Sequence, residues 1–315
     1  MKLNEWLTIC DIGGLGEPSI PATRFYTYYV DYNKGWSPIL TPEFTIDDSP
    51  VTKENFYLSA QEILLRLYNL AIEIIGLGDD EIRISEKVIK WCSDNLHPYN
   101  INKIYKSIPN VDDFRIEEPD PYASPRKWYE EKIKETIELS EINLYEFLKD
   151  LNGLYELTKT YYGIFSFKSG SSQIIEDLKT ILQYKSQWNK LATKIIDDKK
   201  ISGESLKKFA ETIPEIQFSM KFDEKNNTFY IGPDLNSVFE IATYALIRWI
   251  ATNAPNMEDT DTKKTLFICE ACGKIGVKSG PRRKYCATKE CQGTRNARKA
   301  ARSKKNIKDN KSLLD

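Results

Sequence analysis

The sequence predicts an α+β protein with a mainly helical N-terminal body, a few strands, and a small C-terminal module organised by cysteines. Three observations carry this. Apolar residues recur at spacings of three and four through much of residues 53–252. The period switches to two around Ile216–Ile231. Four of the six cysteines then fall within the 23 residues from Cys269 to Cys291.

Taken in order, residues 1–50 read as irregular to β, with Arg24–Tyr32 as the best strand candidate. Gly13-Gly14-Leu15-Gly16 lacks the Lys-Ser/Thr of a phosphate loop and reads as a turn. A first helix follows from Phe56, Ala60, Ile63, Leu64, Leu67 and Ala71, with Gly76 as its stop. A second is expected from a Ser85 cap to Leu96, where Pro98 forbids continuation. Pro109–Pro121 reads as a loop, and Asp79, Asp80 and Glu81 as an exposed turn. Ser124-Pro125 starts a helix expected to run unbroken to about Leu151. An apolar run over Leu154–Phe167, a long helix after Gly170-Ser171-Ser172 and a short one over Glu204–Ile213 complete the helical part.

Ile216, Phe218, Met220 and Phe222 alternate with polar residues, Asn226-Asn227 marks a turn, and Thr228–Ile231 returns, which predicts a β-hairpin. Ser237-Val238-Phe239-Glu240 is a capping box opening a helix to about Thr252. The expected organisation is therefore a body over 1–252, a linker over 253–264, the cysteine module over 265–305 and a basic tail over 306–315.

The net charge of −1 conceals an asymmetry: residues 263–311 hold 16 Lys/Arg and 3 Asp/Glu, against 29 and 43 elsewhere. An acidic body with a basic C-terminal end points to nucleic-acid contact by that end. The N-terminus shows neither an apolar run nor a cleavage site, and no stretch approaches a membrane span, so a cytoplasmic protein without membrane contact is expected.

The cysteines are spaced Cys269-x2-Cys272, thirteen residues, Cys286-x4-Cys291. A Cys-x-x-Cys knuckle aims two thiolates at one ion, and the second pair closes a tetrahedron, so one structural Zn²⁺ is the expected cofactor. An iron–sulfur cluster or a redox pair is the alternative. Two short strands are expected at Ile275–Gly280 and Arg282–Tyr285, then a helix over Gln292–Lys305 carrying the last ligand, Cys291. Knuckle, hairpin and helix make a treble-clef zinc finger. Cys92 reads as a buried small hydrophobe, and Cys10 carries no signal.

On the C-terminal helix Arg295, Arg298, Lys299 and Arg302 share one face, with Ala297, Ala300 and Ala301 expected to pack on the other. Arg282, Arg283 and Lys284 add a second basic edge. These seven are the candidate nucleic-acid contacts, because Arg and Lys at this density suit phosphate and guanine. Alternatively, the charges only solvate the module or dock it on the acidic body. The single histidine, His97, removes His-based metal sites and most triads, and no nucleotide loop or nucleophile elbow is present. No catalytic residue is predicted, and the chain is not expected to be an enzyme.

The segment Cys269-Glu-Ala-Cys272 … Arg282-Arg-Lys-Tyr285-Cys286-Ala-Thr-Lys-Glu-Cys291-Gln-Gly-Thr-Arg295 resembles the CGNR zinc-finger family. The upstream hairpin and the capped helix Ser237–Thr252 are similar to the end of the ABATE domain that commonly precedes that finger. The resemblance covers about residues 215–305. It implies a bacterial transcription regulator whose finger binds double-stranded DNA. Two departures stand out: one extra residue separates Cys291 from Arg295 and the family's Asn is missing, and Lys274–Gly280 lacks the aromatic-x-Asp element. A protein-interaction module docking its finger on a partner, self-association, and RNA binding are the competing readings.

Overall fold

The computed structural model describes residues 5–9, 20–25, 27–43, 60–107, 125–168, 207, 211, 213–223, 227–252, 266–277 and 285–311. The chain divides into two compact units, Met1–Thr252 and Asn253–Asp315. Helices and small antiparallel sheets are mixed throughout, an α+β architecture.

The first unit begins with β1 (Glu5–Ile9) paired antiparallel to β2 (Ile20–Arg24). A three-stranded sheet follows, in which β4 (Ile39–Glu43) lies between β3 (Thr27–Asp31) and β5 (Ile142–Asn143). The single strand expected over Arg24–Tyr32 is thus two strands that meet at Phe25. Phe25 and Tyr28 are both buried. Residues three apart on one continuous strand face opposite ways, so only a break lets both reach the core.

Helix α1 (Ala60–Ile75) forms as its apolar spacing dictates and buries Ile63, Leu64, Leu67, Tyr68 and Ala71 on one stripe. Gly76 ends it, its N–H reaching Ile72 O at 3.3 Å. Helix α2 (Glu81–Asp94) starts a turn earlier than expected. Asp80 is the cap, its carboxylate accepting from Arg83 N at 3.2 Å. Ser85 is buried inside the helix and donates to Glu81 O at 2.8 Å. The acidic run after Gly78 is therefore a helix start, not just an exposed turn. A short α3 (Ile101–Ser107) follows that the sequence reading missed.

Helix α4 starts at Pro125 as expected but stops at Leu139, and α5 occupies Leu144–Lys168. The expected continuous helix breaks for three reasons. Ser140 Oγ turns back on Thr136 O at 2.7 Å. Ile142 joins the sheet opposite Leu40, and both are fully buried. Asn143 then caps the new helix, accepting from Glu146 N at 3.1 Å. The expectations over Gly13–Gly16, Pro109–Pro121 and the helix after Gly170 lie outside the described residues. Of the short helix expected over Glu204–Ile213, only Lys207, Glu211 and Ile213 are described; Glu211 N donates to Lys207 O at 3.0 Å, and Ile213 is a bend.

The hairpin forms as read: β6 (Phe218–Asp223) pairs with β7 (Thr228–Pro233), and Asn227 takes a positive φ of 52° in its turn. The capping box opens α6 (Val238–Thr252), with Glu240 N donating to Ser237 Oγ at 3.1 Å. The Glu240 carboxylate reaches back one residue further than the motif requires, to Asn236 N at 2.5 Å.

Helices α1, α5 and α6 pack on one another to form the core of this unit. Phe147 and Phe239 meet edge to face with ring centroids 5.2 Å apart, and Trp91 closes on Phe147 at 6.3 Å. Among the described residues no helix is long and apolar enough to cross a membrane.

Candidate metal centre

In the second unit β8 (Leu266–Ile268) pairs antiparallel with β9 (Ile275–Val277). The Cys-x-x-Cys pair occupies the loop joining them, so the sequence missed one strand of the hairpin. The first pair lies inside the hairpin turn rather than before it. The strand expected over Arg282–Tyr285 lies almost wholly outside the described residues. Cys269 N donates to Lys274 O at 2.8 Å, and Gly273 N donates to Cys269 O at 2.9 Å. Gly273 has φ of +74°, a left-handed conformation that costs a side chain dearly and glycine nothing. These bonds curl the loop so that Cys269 and Cys272 face one point.

Helix α7 (Lys289–Lys311) brings the last ligand, with Cys291 buried in its first turn. Cys286 arrives on the segment just before. Its N–H donates to Cys269 Sγ at 3.3 Å, and Gln292 Nε2 donates to Cys286 O at 2.5 Å. Phe267, Cys269 and Cys291 form the buried centre of the module, with Tyr285 and Cys286 packed against it. Gly276 faces Phe267 in the register, and a Cβ there would lie 3.0 Å from its ring.

The four sulfurs lie within 4.8 Å of one another. Cys272 Sγ and Cys286 Sγ are 3.8 Å apart. A tetrathiolate tetrahedron with metal–sulfur bonds of roughly 2.3 Å has edges of about 3.8 Å. A disulfide needs about 2.05 Å. The spacing fits four sulfurs around one ion, and all four thiols are free. The donor set therefore fits a soft or borderline divalent metal. No fifth ligand from a His, Asp or Glu joins the cluster among the described residues.

Electrostatics agree with the geometry. Burial pushes the Cys269 thiol up, but hydrogen bonds from the backbone of Cys286, Cys272 and Ala271 outweigh it and hold the group at about 6. Burial and the neighbouring Cys269 and Cys272 push Cys286 to about 12, and burial raises Cys272 as well. Without a cation the cluster holds one thiolate comfortably and resists the next, because like charges this close repel. A central divalent cation reverses that penalty, so metal binding releases protons.

Three side chains beside the cysteines tie the helix to the knuckle. Tyr285 OH donates to Glu270 Oε2 at 2.8 Å. Arg298 from α7 donates to Tyr285 OH at 3.3 Å and pairs with Glu270 Oε2 at 3.4 Å. The Tyr285 hydroxyl and the Glu270 carboxylate beside it raise the Arg298 guanidinium further. Nothing local announces this clamp beyond Glu270 standing between Cys269 and Cys272 and Tyr285 standing beside Cys286.

Of the candidate nucleic-acid contacts, Arg295 is exposed and bonded to Gln292 at 3.2 Å. Lys299 is exposed, and Arg302 lies on α7. Arg282, Arg283 and Lys284 lie outside the described residues. Ala297, Ala300 and Ala301 are exposed, so the packing face expected of them is not formed. The module is anchored instead through Cys291 at the helix start, and the helix beyond Thr294 presents exposed residues as far as Ala301.

In the first unit, His97 is buried. Its Nδ1 lies 3.2 Å from Tyr28 OH, and Phe25 meets it edge-on at 5.5 Å. Cys92 is fully buried, and burial pushes its thiol up, as befits a packed hydrophobe.

Comparisons with family models, with curated proteins and with solved structures found no match to this chain.

Proposed function

We propose that the four cysteines hold one structural zinc ion in a treble-clef finger, and that α7 binds double-stranded DNA in a transcription regulator. The observation carrying this reading is the position of Cys291 in the first turn of a strongly basic helix. Metal ligation at that point fixes the direction of the helix on which Arg295, Lys299 and Arg302 lie. A helix of 23 residues is about 35 Å long, enough to lie along a major groove and touch phosphates on both sides. The resemblance of residues 215–305 to ABATE-like and CGNR segments supports the same reading, with a bacterial, cytoplasmic setting. Zinc is favoured over an iron–sulfur cluster because the sulfur spacing suits a single ion. No catalytic step belongs to this proposal.

The test is binding of the metal-loaded chain to random duplex DNA, single-stranded DNA and RNA across a salt series, with metal quantified in the same sample. Duplex preference is expected, with affinity falling steeply as salt rises. The variant Arg295→Ala/Lys299→Ala/Arg302→Ala should flatten the salt slope by about three phosphate contacts while metal content stays unchanged. It spares Arg298, which holds the helix in place. Preference for RNA would move the assignment to an RNA binder. No binding to any polymer would move it to docking on a protein.

A further inference from the structure

The ribbon β6–β7 carries an apolar face. The register sets Met220 opposite Ile231 and Phe222 opposite Phe229, with Phe218 completing the row. Their exposures are 73%, 71%, 47%, 71% and 55%. Phe222 and Phe229 touch each other with ring centroids 5.0 Å apart. Phe218 roots the ribbon on α6 through Tyr244 at 6.2 Å. On the opposite face Gly232 is buried, and Ser219 bonds Asp234 at 2.7 Å, which ties the two arms of the hairpin together.

At about 200 Å² for a large side chain, these fractions leave on the order of 600 Å² of apolar surface on one face. That is the upper end of the largest apolar patch a monomer ordinarily exposes, and patches of this size commonly mark interaction sites. A two-stranded ribbon is also marginal by itself, because stability requires further strands or a covering layer.

We infer that this face is an isologous interface between two copies of the chain. The patch is built of Phe, Met and Ile alone, so it is complementary to itself and presents no charge to select a different partner. Two such faces stacked across a two-fold axis near the Met220–Ile231 pair bury roughly 1,200 Å² in total, above the ~1,000 Å² that a specific interface requires. The result is a four-stranded, two-layer sandwich, the ordinary way for antiparallel sheets to cover an apolar face. The ribbon lies in the unit Met1–Thr252 and the cysteines in the other, so this inference does not rest on the metal-site reading.

The experiment is sedimentation velocity of the full metal-loaded chain over about 1–100 µM, with hydroxyl-radical footprinting of Met220 and Phe229 at both ends of the range. The expected result is a dimer whose footprint at Met220 and Phe229 deepens with concentration. The variant Met220→Lys/Ile231→Lys should weaken dimerisation at least about a hundredfold without changing the far-UV spectrum. Should that variant misfold, the footprint of the unmodified chain decides. A monomer throughout the range overturns the inference, as does a dimer that survives the double substitution. Protection of Met220 in a monomer, independent of concentration, also overturns it and places another part of the same chain on the face.

Discussion

Acid should destabilise the first unit through one residue, His97. Its ring is buried beside Tyr28 and Phe25, and no hydrogen bond to its Nε2 is formed among the described residues. Burial in this apolar setting lowers its pKa from the ordinary 6.5 to about 3. The folded protein therefore keeps the ring neutral down to about pH 3, whereas the unfolded chain takes up a proton below about 6.5. The unfolded state binds more protons throughout that window, so stability falls as pH is lowered through it. Each pH unit costs about 1.4 kcal/mol, which gives roughly 2 kcal/mol between pH 7.5 and 5. The loss saturates below pH 3. Because other groups titrate in the same range, the measurement is a difference. Urea unfolding of the wild type and of His97→Gln, neutral at every pH, should show stabilities that converge by about 2 kcal/mol over this interval. The chain has one histidine, so its ring resonances can be titrated directly by NMR without ambiguity. A midpoint near 6.5 in the folded protein, or two stability curves that stay parallel, would refute the reasoning.

Chelating the metal, or the change Cys291→Ser, should abolish the ordered structure of the module while the first unit keeps its urea midpoint. Retained amide protection at Phe267 in the metal-free chain would count against a structural metal. Gly276→Val drives a side chain into the Phe267 ring, where even a Cβ meets atoms at 3.0 Å. Overpacking of this kind costs about 1–3 kcal/mol, read as a ten- to hundredfold loss in competition with a chelator, and an unchanged affinity would show that the ring can move aside. Arg298→Ala should leave one metal per chain but speed amide exchange at Tyr285 and Cys286, and Tyr285→Phe should do the same; identical exchange in all three proteins rules out the clamp. Asp80→Ala should cost about 1 kcal/mol in urea unfolding through the lost cap on α2. Ser85→Ala should cost less, because that hydroxyl only doubles onto an already bonded carbonyl.

Local chemistry was legible in the sequence wherever it acts over a few residues. The stripe of α1, the alternation of Phe218–Phe222, the Ser237–Glu240 box and Gly273 after the second ligand each impose their conformation through neighbours in the chain. The cysteine spacing belongs with them, since four thiols at these intervals close on one point once the knuckle turns. Distant partners decided the rest. Ser140–Asn143 reads as helix and becomes a turn leading into the strand Ile142–Asn143, because Leu40, a hundred residues earlier, supplies a sheet position for Ile142. Ser85 looks like a cap, but Asp80 takes that place and leaves Ser85 buried within the helix. Arg298 shares a face with Arg295 in any helix. Only the folded module shows it turned onto Glu270 and Tyr285, separating a residue that holds the helix from Arg295 and Lys299, which stay exposed. The burial that keeps His97 neutral is likewise made by Tyr28 and Phe25, residues that no local pattern connects to it. Spacing along the chain sets conformation and ligand count. Burial and charge pairing depend on what other segments bring, and those appear only when the chain has closed.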